Sequence, residues 1–317
     1  MKRGRKVVIL GAGNVGATIG YTLTLDGVAS EIVFIDVNVD KAKGEAMDIA
    51  QGVPFSKPIN IYQGSYEDAK DASIVIVTMG FARKPGQSRI DLAQSNVDIA
   101  RDVLPEVVKY APNAIYLVVS NPVDIMTYAI KKYTGLPESQ VFGAGTVLDT
   151  ARLRASIGEA INVNPQNVHA YVLGEHGDTA VIPWSMAMIG GSLAESFPGL
   201  KSLDGKEGRG IDKEAIEHYV RKSGAIVIGY KGATFYAISM SVRRLLSCMT
   251  GETQTIVTVS SSVHGEYGID DVCLSLPFAL SSSGVSCPVI LPLSPLEEDQ
   301  LRASADALKS VINSIKI

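Results

Sequence analysis

Three glycines constrain this chain more than any other feature. Gly11, Gly13 and Gly16 stand as G-x-G-x-x-G, directly behind the apolar run KVVIL and at the head of the helical stretch NVGATIGYTL. The first glycine permits a tight turn, the second lets a backbone approach a pyrophosphate, and the third allows a helix to pack closely on a strand. The helix start adds unclaimed N–H groups and partial positive charge. The next β-branched run, EIVFID, ends in Asp36, 20 residues beyond Gly16. That is the offset at which an acid reaches the ribose hydroxyls of a dinucleotide. A carboxylate there disfavours the extra phosphate of NADP, and no arginine follows in IDVNVDK. The expected cofactor is NAD, held by Gly11, Gly13, Asn14, Val15, Gly16 and Asp36.

The runs KVVIL, EIVFI, SIVIVTM and AIYLVV alternate with helical segments such as RIDLAQSNVDIARDVLPEVVKY. Strands apolar on both faces, separated by helices, predict an α/β fold. Residues 1–145 are expected to form a Rossmann-type, doubly wound parallel sheet that binds NAD. Beyond them the alternation lapses. A helix carrying VLDTARLRASIGEAI is followed by a strand–loop–strand stretch, then one long helical region from about Asp212 to Met249. Three strands and a final helix near Pro295 complete the chain. Residues 146–317 therefore read as an α+β catalytic domain that holds the substrate, with SFPGLKSLDGKEGRG as a mobile surface loop.

The net charge of −4, from 29 basic and 33 acidic residues, marks no nucleic-acid or anionic-membrane partner. The basic start MKRGRK is followed only by VVIL, short of the ~7–15 apolar residues of a secretory signal and the ~20 of a membrane helix. The three cysteines, Cys248, Cys273 and Cys287, form no Cys-x-x-Cys. Core packing in a reducing cytoplasm is expected of them, and no metal site.

Hydride transfer to a carbonyl needs a proton donor, a group that polarises the oxygen, and clamps that fix the substrate. Of the four histidines, His218 lies on a solvated helix face and His264 sits in a turn with no obvious partner. His176, in LGEHGDT, follows a strand, and Gly174 and Gly177 leave its imidazole room to face a cleft. Asp149 and Arg152 are three apart on one helix and share a face, an arrangement that by itself describes a surface ion pair. Asn121, in VSNPVD, follows a strand, where ligands of doubly wound sheets bind, though Asn-Pro also simply starts turns. The loop GFARKPGQSRIDL carries two arginines, Arg83 and Arg89.

Five motifs occur in order: GAGNVG, MGFARKPGQSRIDL, VVSNPVDIMTY, GAGTVLDTARLR and GEHGDTAVIPWS. With them the chain resembles the lactate/malate dehydrogenase family over essentially its whole length. The resemblance implies that His176 donates the proton in carbonyl reduction, that Asp149 orients it, and that Arg152 clamps the substrate's C1 carboxylate. It further implies that Asn121 contacts the substrate oxygen and the nicotinamide, that Arg89 rides on a closing loop and polarises the carbonyl, and that Thr234 lines the pocket. Malate-type members carry arginine at the position of Arg83, where it pairs with a second carboxylate, and Gln87 stands where lactate-type members usually have glutamate. The expected activity is therefore an NAD-dependent malate dehydrogenase interconverting (S)-malate and oxaloacetate, with a place in the tricarboxylic acid cycle and a dicarboxylate as small-molecule partner.

L-lactate dehydrogenase is the alternative. Glu175 stands where malate enzymes of this kind often have glycine, and Arg154 with His169 match a basic pair that binds an anionic effector, fructose 1,6-bisphosphate, between subunits. A catalytically silent NAD-binding or structural protein is the remote third reading, and it has no need for His176, Asp149, Arg152 and Arg89 together. The resemblance also implies a homotetramer or dimer.

Overall fold

The computed structural model describes residues 5–81, 88–201, 205, 207–251 and 253–317, apart from the side chain of Arg89. The β-branched runs of the first half form parallel strands: β1 (Lys6–Leu10), β2 (Glu31–Ile35), β3 (Asn60–Gln63), β4 (Ile74–Val77), β5 (Ile115–Val118) and β6 (Val141–Gly143). Their order across the sheet is β3-β2-β1-β4-β5-β6, and every residue of β4, β5 and β6 is buried, as strands covered on both faces require. The covering helices are α1 (Asn14–Asp26), α2 (Val39–Gln51), α3 (Arg89–Tyr110) and α4 (Val123–Thr134). Polar side chains start two of them: Asn38 accepts from the Lys41 N–H and Ser88 from the Asp91 N–H, satisfying donors a helix start leaves open.

The second half begins with α5 (Val147–Ile161). Short strands β7 (Val168–His169), β8 (Met188–Ile189) and β9 (Ser192–Leu193) form a separate three-stranded sheet. The expected single helix over 212–249 is two helices, α6 (Lys213–Lys231) and α7 (Tyr236–Cys248). Gly232, with φ 79°, ends the first in the left-handed region, the usual glycine stop signal. The long strands β10 (Thr255–His264) and β11 (Asp270–Ser281), with β12 (Gly284–Pro288), follow. A Ser294–Glu297 capping box opens α8 (Pro295–Ile312).

The two halves share one sheet. β10 pairs with the edge of β6 through Ser260 and Gly143, so β12-β11-β10 extend the parallel strands into a nine-stranded sheet. The main core runs along it, from Val8 and Phe34 to Leu276 and Leu301. A second core joins Leu153 and Ile157 of α5, Val172, Trp184, and Ile216 and Val220 of α6. Cys248 and Cys273 are buried as expected, whereas Cys287 is exposed, because it sits on the sheet-edge strand β12. His264 ends β10 rather than standing alone in a turn, and its Nε2 lies 2.7 Å from Glu138 Oε2. The expected surface loop includes 202–204 and 206, outside the described residues.

Candidate active site

Beyond β1 the chain turns sharply at Gly11, whose φ is 102°. A Cβ built on Gly16 would stand 1.9 Å from the Gly11 carbonyl oxygen, so α1 lies against the turn more closely than any side chain permits. Gly13 differs: a Cβ there meets nothing within 4 Å. It opens α1, and no side chain caps that helix start. Asp36 is fixed beside the turn, its Oδ2 accepting from the Ala12 N–H at 2.6 Å and its Oδ1 from the Asn38 N–H at 2.8 Å. An uncapped helix start, open ground at Gly13 and an anchored acid fit a dinucleotide's pyrophosphate and ribose.

The second cluster is assembled from distant elements. Asp149 and Arg152 stand in the first half of α5, and Arg152 donates to Asp149 Oδ1 at 2.8 Å. The other carboxylate oxygen, Oδ2, lies 2.5 Å from His176 Nδ1. Burial works to raise the Asp149 carboxyl, but the neighbouring His176 and Arg152 charges outweigh it and hold the group below the usual carboxylate range. His176 moves the opposite way. The Asp149 charge lifts it to about 9 against the cost of burial, with Asp124 adding to the lift and Arg152 opposing it. At neutral pH the ring is an imidazolium whose Nε2 has no hydrogen-bond partner among the described residues. Asp124, on the first turn of α4, accepts the main-chain N–H of His176 at 2.8 Å.

A cleft of about 310 Å³ brings these parts together. Val15 from the glycine turn, Asn121, Asp149, Arg152, His176 and Thr234 all line it. Asn121 sits between β5 and α4, and its carbonyl accepts from Asn96 Nδ2 at 2.7 Å. Arg83 and Gln87 lie outside the described residues, and of Arg89 only the backbone, at the start of α3, is described. Arg154 lies elsewhere: its Nε donates to the Ala170 carbonyl, its guanidinium stacks 5.4 Å over the Tyr171 ring, and it lines a second cavity with Arg244. His169 is exposed on β7 and does not line that cavity, so one chain does not bring the expected effector pair together.

Sequence reasoning missed two residues. Arg221 of α6 lines the cleft, held by Glu217 at 2.9 Å and by the Ala180 carbonyl; nothing local distinguishes it from a solvated helix arginine. Asp124 lay inside the motif VSNPVD, but its partner is 52 residues away.

Comparison with known proteins bears on the whole chain. The lactate/malate dehydrogenase NAD binding domain matches residues 5–143, and the lactate/malate dehydrogenase alpha/beta C-terminal domain matches residues 146–316. The L-lactate dehydrogenase of Thermoanaerobacterium saccharolyticum is 43% identical over 312 residues, 98% of this chain and 99% of that protein. That of Acetivibrio thermocellus is 42% identical over 313 residues, 99% of this chain and 98% of that protein. The crystal structure of the minor L-lactate dehydrogenase from Enterococcus mundtii superposes with a TM-score of 0.93, at 37% identity and with full coverage of both chains.

These findings overturn the expected malate dehydrogenase activity and, with it, the place in the tricarboxylic acid cycle. That expectation weighed one loop arginine, Arg83, and the neighbouring Gln87 above the rest of the chain. The full-length likeness is to proteins named L-lactate dehydrogenase. Glu175, together with Arg154 and His169, leaned that way already.

Proposed function

This chain belongs to the lactate/malate dehydrogenase family, and we propose that it interconverts pyruvate and L-lactate. Its cofactor is NAD, which when bound supplies or accepts the hydride. One observation carries the chemistry: His176, Asp149 and Arg152 form a continuous bonded set, at 2.5 and 2.8 Å, in a cleft that also reaches the glycine turn. The full-length relatives support pyruvate as the keto acid.

In pyruvate reduction the His176 imidazolium gives its Nε2 proton to the carbonyl oxygen, and Asp149 stabilises the charge beforehand. In lactate oxidation the neutral ring takes that proton back. Arg152 spends one bond on Asp149 and offers its other N–H groups to the C1 carboxylate. Asn121 and Thr234 complete the pocket. Arg89 polarises the carbonyl and stabilises the charge it develops. Apolar wall residues, among them Val119, Leu148, Val220 and Ile238, keep water from the reacting atoms and strengthen these electrostatic contacts.

Residues 1–145 carry the cofactor and 146–317 the substrate. The protein works as a homotetramer or dimer, and exposed Tyr21 and Leu25 of α1 beside Tyr236 and Met240 of α7 supply apolar surface for such an interface. An effector site at Arg154 and His169 requires that second subunit. The three free cysteines suit the cytoplasm. Steady-state kcat/KM for pyruvate, oxaloacetate and longer 2-keto acids, each with NADH and NADPH, tests the reading. Pyruvate with NADH should lead; a higher value for oxaloacetate, or no turnover of any 2-keto acid, would overturn it.

A further inference from the structure

The catalytic set leaves one buried carboxylate without a task. Asp124 is 2% exposed, on the first turn of α4. Its Oδ2 accepts the His176 main-chain N–H at 2.8 Å, while its Oδ1 is buried with no hydrogen-bond partner among the described residues. Ser260 stands beside it, and Ser275 is the cross-strand neighbour of Ser260. The two serines face each other directly across β10 and β11, both are fully buried, and neither Oγ makes a hydrogen bond of good geometry among the described residues. The Ser260 hydroxyl is close enough to Asp124 to favour its ionised form. The backbone ties the same place together, because Gly174, just before the His176 turn, exchanges both main-chain hydrogen bonds with Ser275.

We propose that Asp124 is a positioning residue for His176, set beside Ser260, that fixes the main chain beneath the imidazole and serves as a second carboxylate for its charge. The proposal rests on His176 being the proton-donating group. Tying down an amide does not by itself explain the acid: a buried neutral amide oxygen would accept the same N–H without the desolvation cost of a carboxylate. What an acid adds is negative charge beside the imidazolium. The titratable groups that bear on Asp124 are His176 and Glu175 from the turn and Cys273 from β11, with Asp149 and Arg152 acting through His176. Burial and Glu175 push Asp124 up, to about 6, and His176 and Ser260 hold it from rising further. Above that pH it is charged and supports the protonated ring; below it, Asp149 acts alone.

Two measurements on the full-length enzyme decide the matter. Asp124→Asn keeps an acceptor for the His176 N–H and removes only the charge. In wild type, kcat/KM for pyruvate should stay level and fall above about pH 9, where the imidazolium is lost. In the variant the fall should begin about half a unit to one unit lower, a roughly twofold to fivefold loss at pH 9 that shrinks as the pH drops. Asp124→Ala, which also loses the acceptor, should lower kcat at every pH, and Asn should restore part of it. The second measurement needs neither a variant nor turnover. By NMR of the NADH complex, the wild-type His176 main-chain amide should titrate twice, near pH 6 from Asp124 and near pH 9 from its own ring. Superimposable rate profiles for wild type and Asp124→Asn, or an amide with no inflection near pH 6, would overturn the proposal. Wild type inactive on every 2-keto acid would instead defeat the reading of the reaction, and the amide titration would still decide the role of Asp124.

Discussion

The two ends of the cleft work by opposite means. At the glycine turn, function depends on side chains that are absent: a Cβ on Gly16 would collide with the turn, and Gly13 leaves open ground at an uncapped helix start. At His176, function depends on charges brought together, with the ring against Asp149 and Asp149 against Arg152. The three glycines of the first end lie within one strand–turn–helix unit, with Asp36 added from the end of β2. The second joins α5 to a turn 27 residues further on, and through Asp124 to α4, 52 residues back. A backbone site should therefore fail through misfit and lost cofactor affinity, and a charge site through turnover and its pH dependence.

The largest effect expected is at the charge end. His176→Asn should lower kcat by ~10²–10⁴-fold, the usual contribution of a positioned acid–base group. NADH affinity, followed by fluorescence titration, should stay near the wild-type value because the glycine turn is untouched. Turnover retained within about tenfold would remove the imidazole from the chemistry. A matching loss of NADH affinity would mean that the two ends are not separable.

At the backbone end, Gly16→Ala should act before any cofactor arrives. The added Cβ would meet the Gly11 carbonyl at 1.9 Å and Thr78 Oγ1 at 2.8 Å, and neither belongs to a long flexible side chain that could swing away. Overpacking of this kind costs ~1–3 kcal/mol, so the cofactor-free protein should melt several degrees lower. An unchanged melting temperature in differential scanning calorimetry would show that α1 stands further from the turn than described.

This division also governs how much the sequence revealed. The parallel strands were legible because burial on both faces leaves unbroken β-branched runs, and the glycine turn because its logic lies within six residues. His176, Asp149 and Arg152 could be singled out, but residue types alone left Asp149 and Arg152 as a surface pair; their joint contact with His176 is a tertiary fact. The union of the two halves into one sheet was not legible, since the pairing of Ser260 with Gly143 joins residues with no local signal. Nor was Asp124, whose significance arises only where the His176 turn folds onto α4. Arg83 taught the converse lesson: one loop residue was given more weight than the pattern of the whole chain, and the full-length relatives reversed it.

The smallest effect expected separates cofactor fit from protein fit within the same motif. Gly13 has φ −74° and ψ −175°, extended backbone that alanine adopts without strain, and its Cβ would meet nothing within 4 Å. Alanine at a helix N-cap costs a few tenths of a kcal/mol to ~1 relative to glycine, while the stiffer unfolded chain returns about 0.4–1 kcal/mol. The two nearly cancel, so Gly13→Ala should shift the cofactor-free melting temperature by no more than about 2 °C on the usual scaling for a chain of this size. Its methyl group nevertheless occupies the ground where a pyrophosphate would approach α1. NADH should bind roughly tenfold more weakly, about 1.4 kcal/mol, and added NADH should raise the melting temperature less than it does in wild type. Gly16→Ala should damage the protein first and binding second; Gly13→Ala should damage binding alone. If Gly13→Ala bound NADH as wild type does, the open ground at Gly13 would not be the cofactor's seat, and the glycines would be there only to make a turn.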